Sequence, residues 1–92
     1  MTTNVILEKI RTGAAIVDVR TEDEFMDGHY PNAVNIPVNE IMDRAEEIGP
    51  KDKPVIVYCE SGSRSAYAAM MLKVEGFTDV TNAGGLVDMP EL

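Results

Sequence analysis

Val55-Ile56-Val57-Tyr58-Cys59 runs directly into Glu60-Ser61-Gly62-Ser63-Arg64-Ser65, and an alanine- and methionine-rich stretch continues to Glu75. A short apolar run, a loop of small residues and a helix-forming segment closed by Gly76 read as strand, loop and helix. That order sets Cys59, the one thiol of the chain, at the mouth of a cradle of backbone N–H groups. Donors left free at a helix start, together with the helix dipole, favour negative charge there. Gly62 lets the backbone curl so that successive N–H groups converge. Ser61, Ser63 and Ser65 can add hydroxyl donors, and Arg64 brings a permanent positive charge. An isolated cysteine is commonly a small buried hydrophobe. In these surroundings it is expected to be a reactive thiolate that binds anions through the loop. Glu60 is expected to turn its carboxylate outward and leave its N–H in the cradle.

Working outward, Val5, Ile6, Leu7 and Ile10 form a helical stripe that stops before Gly13. Ala15 to Val19 is a strand. Thr21-Glu22-Asp23-Glu24 is a capping-box pattern that opens a short helix through Met26. Gly28 to Asn32 is a loop, and Val34 to Ile36 is a brief strand ended by Pro37. Asn39 is placed to cap a helix carrying Ile41, Ala45 and Ile48 on one face, ended by Gly49-Pro50. Val55 to Tyr58 is the most apolar strand, and Ser65 to Glu75 the central helix, with Ala66, Ala68, Ala69, Met70 and Met71 as core packing. Asp79 to Thr81 is a last strand and Asn82 to Gly85 a tight loop. Strands alternating with helices predict an α/β fold, a small parallel sheet with helices on both faces. Sites in such sheets form at the carboxyl ends of strands, where Cys59 falls.

Ninety-two residues make one domain, 1–92. With 45% hydrophobic and 26% charged residues the chain is too apolar for disorder. No apolar stretch reaches the roughly 20 residues of a membrane span, and no secretory signal is visible at the N-terminus. One cysteine excludes an internal disulfide and suits a reducing compartment, which predicts the cytoplasm. One Cys and one His do not make a zinc constellation, so no metal or cofactor is expected. The net charge of −8, with no basic cluster, argues against nucleic acid and anionic membranes as partners. Salt confines that acidic field to about 8–10 Å, so a local anion cradle can still act at contact.

The loop from Cys59 to Ser65 resembles that of rhodanese-like sulfurtransferases. The likeness extends through Asp18-Val19-Arg20, Glu24-Phe25, Gly28-His29, Pro31, Ala33, Asn35-Ile36-Pro37, Gly76-Phe77 and Gly84-Gly85, from about Ala15 to Gly85. Separately these are weak signals; in this order around a Cys-x-x-x-x-Arg loop they are strong. The resemblance implies a sulfurtransferase in which Cys59 takes the outer sulfur of a donor (thiosulfate, a polysulfide or a small persulfide), becomes a persulfide and passes it to a thiol or protein acceptor. It further implies that the backbone from Glu60 through Ser61, Gly62, Ser63 and Arg64 holds the persulfide anion and that the Arg64 side chain assists with donor charge. His29 is structural in that pattern. Arg20 and Glu24 are expected to pair across the strand–helix turn. Many relatives continue past the Gly-Gly pair with a Trp and a further helix. Here only Leu86 to Leu92 follow, which predicts a more open site suited to a protein thiol.

Two other readings compete. Cysteine phosphatases and arsenate reductases use a similar loop, but the phosphatase form has five residues between Cys and Arg where this chain has four. Phosphatases also use a nearby Asp as general acid for the leaving alcohol. A non-catalytic interaction module would dock partners on its acidic surface and leave the thiol incidental.

Overall fold

A computed structural model describes residues 2–92. Helix α1 (Thr2–Arg11) precedes β1 (Ala15–Asp18), α2 (Glu22–Met26), β2 (Val34–Asn35), α3 (Ile41–Arg44), β3 (Val55–Cys59), α4 (Ser63–Glu75) and β4 (Val80–Gly85). All three strand pairings are parallel, in the order β2-β1-β3-β4. The expected α/β architecture is present, with the most apolar strand inside the sheet.

Every residue of β3 is buried, and its alternation sorts the two cores. Val55, Val57 and Cys59 join Ile41, Ala68 and Leu72 beneath α3 and α4. Ile56 and Tyr58 join Ile6 of α1, Tyr30 and Met89 on the other face. Helices therefore cover both faces, as a parallel sheet requires. A fully buried side chain such as Leu72 makes this packing costly to breach, at roughly 2–5 kcal/mol for truncation to Ala.

Four local expectations are corrected. Asn39 caps nothing: Pro37 occupies the cap position of a 3₁₀ turn over Val38–Glu40, and α3 begins behind Glu40 without a side-chain cap. Asn39 thus lies inside the turn rather than ahead of it, although Ile41, Ala45 and Ile48 are buried as predicted. Helix α4 starts at Ser63, two residues before the expected Ser65, because Gly62 turns the chain at φ 104°.

Asn82 to Gly85 is strand, not loop. Pairing with the end of β3 overrides turn propensity, and the register skips Ala83 between Val57↔Asn82 and Tyr58↔Gly84. Gly85 is needed for close approach, since a Cβ there would lie 2.2 Å from the Glu60 carbonyl oxygen. Finally, Ala68 and Ala69 are core, but Ala66 and Met70 are exposed. Helix α4 packs by one side only, and Ala66, Met70, Lys73 and Val74 border an outward groove of about 490 Å³ against Asn82.

Candidate active site

The end of β3 delivers Cys59 into a fully buried position. Its Sγ accepts the Gly62 N–H at 2.9 Å and the Ser65 N–H at 3.4 Å, and lies 3.3 Å from Ser65 Oγ. Burial alone pushes the thiol up. The Ser65 hydroxyl and the Ser65, Gly62 and Ser61 N–H groups outweigh burial and hold the thiol below its ordinary value. The hydroxyl has rival acceptors, for its single proton also faces Asn82 Oδ1 at 2.6 Å and the Gly62 carbonyl at 3.1 Å. The amides have no such freedom, so they are the fixed part of the cradle. The opening N–H groups of α4, at Ser63 and Arg64, lack intrahelical acceptors as any first turn does.

Of the predicted loop residues, Gly62 and Ser61 face the sulfur through their amides. Glu60 turns outward as expected, its side chain 62% exposed. Arg64 does not point freely at the cradle. Its Nη1 and Nη2 donate to Glu24 Oε1 and Oε2 at 2.7 and 3.0 Å. Glu24 raises the Arg64 pKa, with a lesser pull from the Cys59 charge.

The expected Arg20–Glu24 pair is therefore absent. Arg20 is instead clamped by fully buried Asp18, through Nε at 3.1 Å and Nη2 at 2.8 Å. It also donates to the Gly28 carbonyl at 2.7 Å and approaches Glu60 Oε1 at 3.4 Å. Both partners that sequence proximity suggested for each other reach 40 positions along the chain to the Cys59 loop. Glu24 still closes the predicted capping box, accepting the Thr21 N–H at 2.9 Å while its own N–H donates to Thr21 Oγ1.

Behind the loop, Tyr58 Oη donates to Asp18 Oδ2 at 2.8 Å and accepts the Tyr30 N–H at 3.0 Å. Burial and the adjacent carboxylate push Tyr58 up to about 12. His29 stacks on Phe25 at 3.7 Å and donates from Nδ1 to the Phe25 carbonyl, the structural placement expected of it. The residues after Gly85 form one 3₁₀ turn over Leu86–Asp88, and Met89 is buried on the α1 face. The sulfur itself is fully buried. Among the described residues no group of three His, Cys, Asp or Glu side chains could hold a metal ion, and no helix is long and apolar enough to cross a membrane.

Sequence reading missed two contributors. Asn82 is held by the Gly84 N–H at 3.0 Å and orients the Ser65 hydroxyl, a role hidden by its apparent turn setting. Glu24 was visible as a capping residue and as a local partner for Arg20. Its reach to Arg64 has no local signature.

Residues 2–88 match the rhodanese-like domain family. The chain is 39% identical over 74 residues to the thiosulfate sulfurtransferase PspE of Escherichia coli (strain K12), covering 79% of this chain and 71% of that protein. It is 41% identical over 81 residues to the uncharacterized protein YqhL of Bacillus subtilis (strain 168), covering 85% of this chain and 64% of that protein, less than two thirds of its length. A solved rhodanese with anions from E. coli matches at a TM-score of 0.79 and 37% identity, covering 87% of this chain and 98% of that one.

Proposed function

The chain belongs to the rhodanese-like domain family, and from that premise we propose that it is a sulfurtransferase carrying a sulfane sulfur on Cys59. The observation that supports this most is the environment of the sulfur, which is buried at a strand end and met by N–H and hydroxyl groups of the bend that follows. Such a site favours the thiolate, the form that attacks S–S bonds.

The Cys59 thiolate attacks the outer sulfur of thiosulfate, a polysulfide or a small persulfide. With thiosulfate, a new S–S bond forms at Cys59, the old one breaks, and its electron pair leaves with sulfite. The products are the Cys59 persulfide anion and sulfite dianion, with no net proton. In the second step a nucleophilic acceptor, a thiol or protein thiolate or cyanide, takes the outer sulfur and returns Cys59 as thiolate. Fixed amides of the Glu60–Arg64 bend stabilise the terminal anion without reorganising. Neither half-reaction needs a general base or a cofactor. Chemistry on an unpaired thiol operates where thiols stay reduced, as in the cytoplasm.

Phosphate-ester chemistry fits less well, because it needs a carboxylic acid near the leaving oxygen. Asp18 points to the opposite face with Arg20, and Glu24 is engaged by Arg64. The deciding measurement is intact mass after incubation with thiosulfate. One added sulfur atom is expected, and none in Cys59→Ser. A protein that gains no sulfur from thiosulfate, polysulfide or glutathione persulfide is not a carrier.

A further inference from the structure

The catalytic loop carries two charges, Glu60 and Arg64, and the β1–α2 segment answers both. The answers are unequal. Arg20 meets Glu60 at 3.4 Å with a carboxylate mostly in water, and Arg20 is already committed to Asp18. Glu24 meets Arg64 with two bonds, at 2.7 and 3.0 Å, and both side chains are about a third exposed. Glu24 cannot swing aside freely, because its Oε1 also accepts the Thr21 N–H at 2.9 Å and closes the cap of α2. Glu24 is thereby fixed where it offsets the one cationic side chain of the loop. A donor approaching Cys59 must compete with this carboxylate for the guanidinium, and the contest is harder the more negative the donor.

We infer that Glu24 is a specificity-determining residue that acts by holding Arg64, and that it biases this site against dianionic sulfur donors in favour of monoanionic ones. The inference rests on the sulfurtransferase reading for its substrates, and it concerns charge class rather than the transfer step. Thiosulfate and benzenethiosulfonate separate the two, since each gives its outer sulfur to a thiolate and releases an anion, sulfite or benzenesulfinate. They differ by one unit of charge.

Glu24→Gln keeps a carbonyl oxygen for the Thr21 N–H and removes the charge. With the offsetting charge gone at salt-bridge range, kcat/KM for thiosulfate rises about fivefold, mainly through KM, while that for benzenethiosulfonate stays within about twofold. Glu24→Asp, which keeps the charge, retains the wild-type preference. In an Arg64→Ala background Glu24→Gln has no effect on the donor ratio, as coupling through Arg64 requires. Equal changes for both donors, or an effect that persists without Arg64, overturn the inference. A second readout does not depend on sulfur transfer. The ratio of Cys59 alkylation by iodoacetate, an anion, to that by neutral iodoacetamide rises in Glu24→Gln. If the wild type uses neither donor, the sulfurtransferase reading fails, and the alkylation ratio alone then judges Glu24: a rise upholds its control of anion access, and no change ends the proposal.

Discussion

Tyr58 and Cys59 are consecutive residues of one strand, both fully buried, and they titrate in opposite senses. Alternation sends Tyr58 to the α1 face and Cys59 to the α4 face. Burial opposes ionisation at both. The partners decide the outcome. Tyr58 Oη donates to a buried carboxylate, so its charged form would face Asp18 across 2.8 Å, and the phenol stays protonated up to about 12. The sulfur meets amides and a hydroxyl, so its charged form gains what burial takes away. One strand end thus supplies a fixed neutral donor to the scaffold and a thiol biased toward its charged form to the loop. The sign of the neighbouring groups, more than depth, favours the charged form of Cys59.

The largest test of this contrast removes the carboxylate. Asp18→Ala leaves Arg20 nearly buried without its main partner, and loss of one partner of a buried pair costs about 3–5 kcal/mol. Urea unfolding of the variant would measure it. A loss below 1 kcal/mol would mean that Gly28 and Glu60 suffice for Arg20, and the scaffold side of the comparison would need a different anchor.

Next in size is a pair of opposite slopes in stability against pH. The Cys59 thiol is held below its unfolded value, so the folded state sheds that proton first. Its contribution is present above the unfolded value and is lost as pH falls through the folded one. Tyr58 is raised, so its contribution is present below an unfolded pKa near 10 and is lost as pH rises toward about 12. Each slope is bounded by about 1.4 kcal/mol per pH unit for one proton. Subtracting the curve of Cys59→Ser from wild type should leave a rising limb, and subtracting that of Tyr58→Phe a falling one above pH 10. Limbs of the same sign would undo the contrast.

Chain order made much of this site legible. The apolar strand, the small-residue loop with Cys59 and the Thr21–Glu24 capping box are local patterns that the structure bears out, whereas of the α1 stripe only Ile6 and Ile10 pack inward and Val5 is exposed. What failed depended on elements brought together from afar. Arg20 and Glu24 look paired four positions apart, yet β1 and β3 lie side by side and carry both toward the Cys59 loop. Asn82-Ala83-Gly84-Gly85 has turn composition, but β3 offers it a ladder and Glu60 leaves no room for a Cβ at Gly85. Met70 has a core residue's chemistry, yet it sits on the side of α4 that no element covers.

A smaller effect comes from Tyr58→Phe. Asp18 keeps the Arg20 N–H groups, so only the Tyr30 N–H loses its acceptor. One unsatisfied buried donor costs about 1–2 kcal/mol. The pH profile of Cys59 alkylation should not move, because the phenol lies on the other side of the sheet. A shifted profile would show that the two faces share their electrostatics and that the strand does not insulate them.

The finest test asks where the Ser65 proton resides. At 2.6 Å from Asn82 Oδ1 the hydroxyl has a good acceptor before the sulfur is considered. When Cys59 ionises, a charged acceptor at 3.3 Å becomes available, and charge-assisted bonds are roughly twice as strong as neutral ones. The proton should then turn to the sulfur, leaving Asn82 Oδ1 with the Gly84 N–H. Ser65→Ala removes that option but keeps the Ser65 and Gly62 amides. The alkylation midpoint should rise and sulfur loading at pH 7 slow by about threefold, because a single hydrogen bond to a charged group is lost from a set of several. If the midpoint stays in place, the proton never leaves Asn82 and the fixed amides alone hold the anion. The donor surface that sets Cys59 apart from Tyr58 would then be entirely backbone.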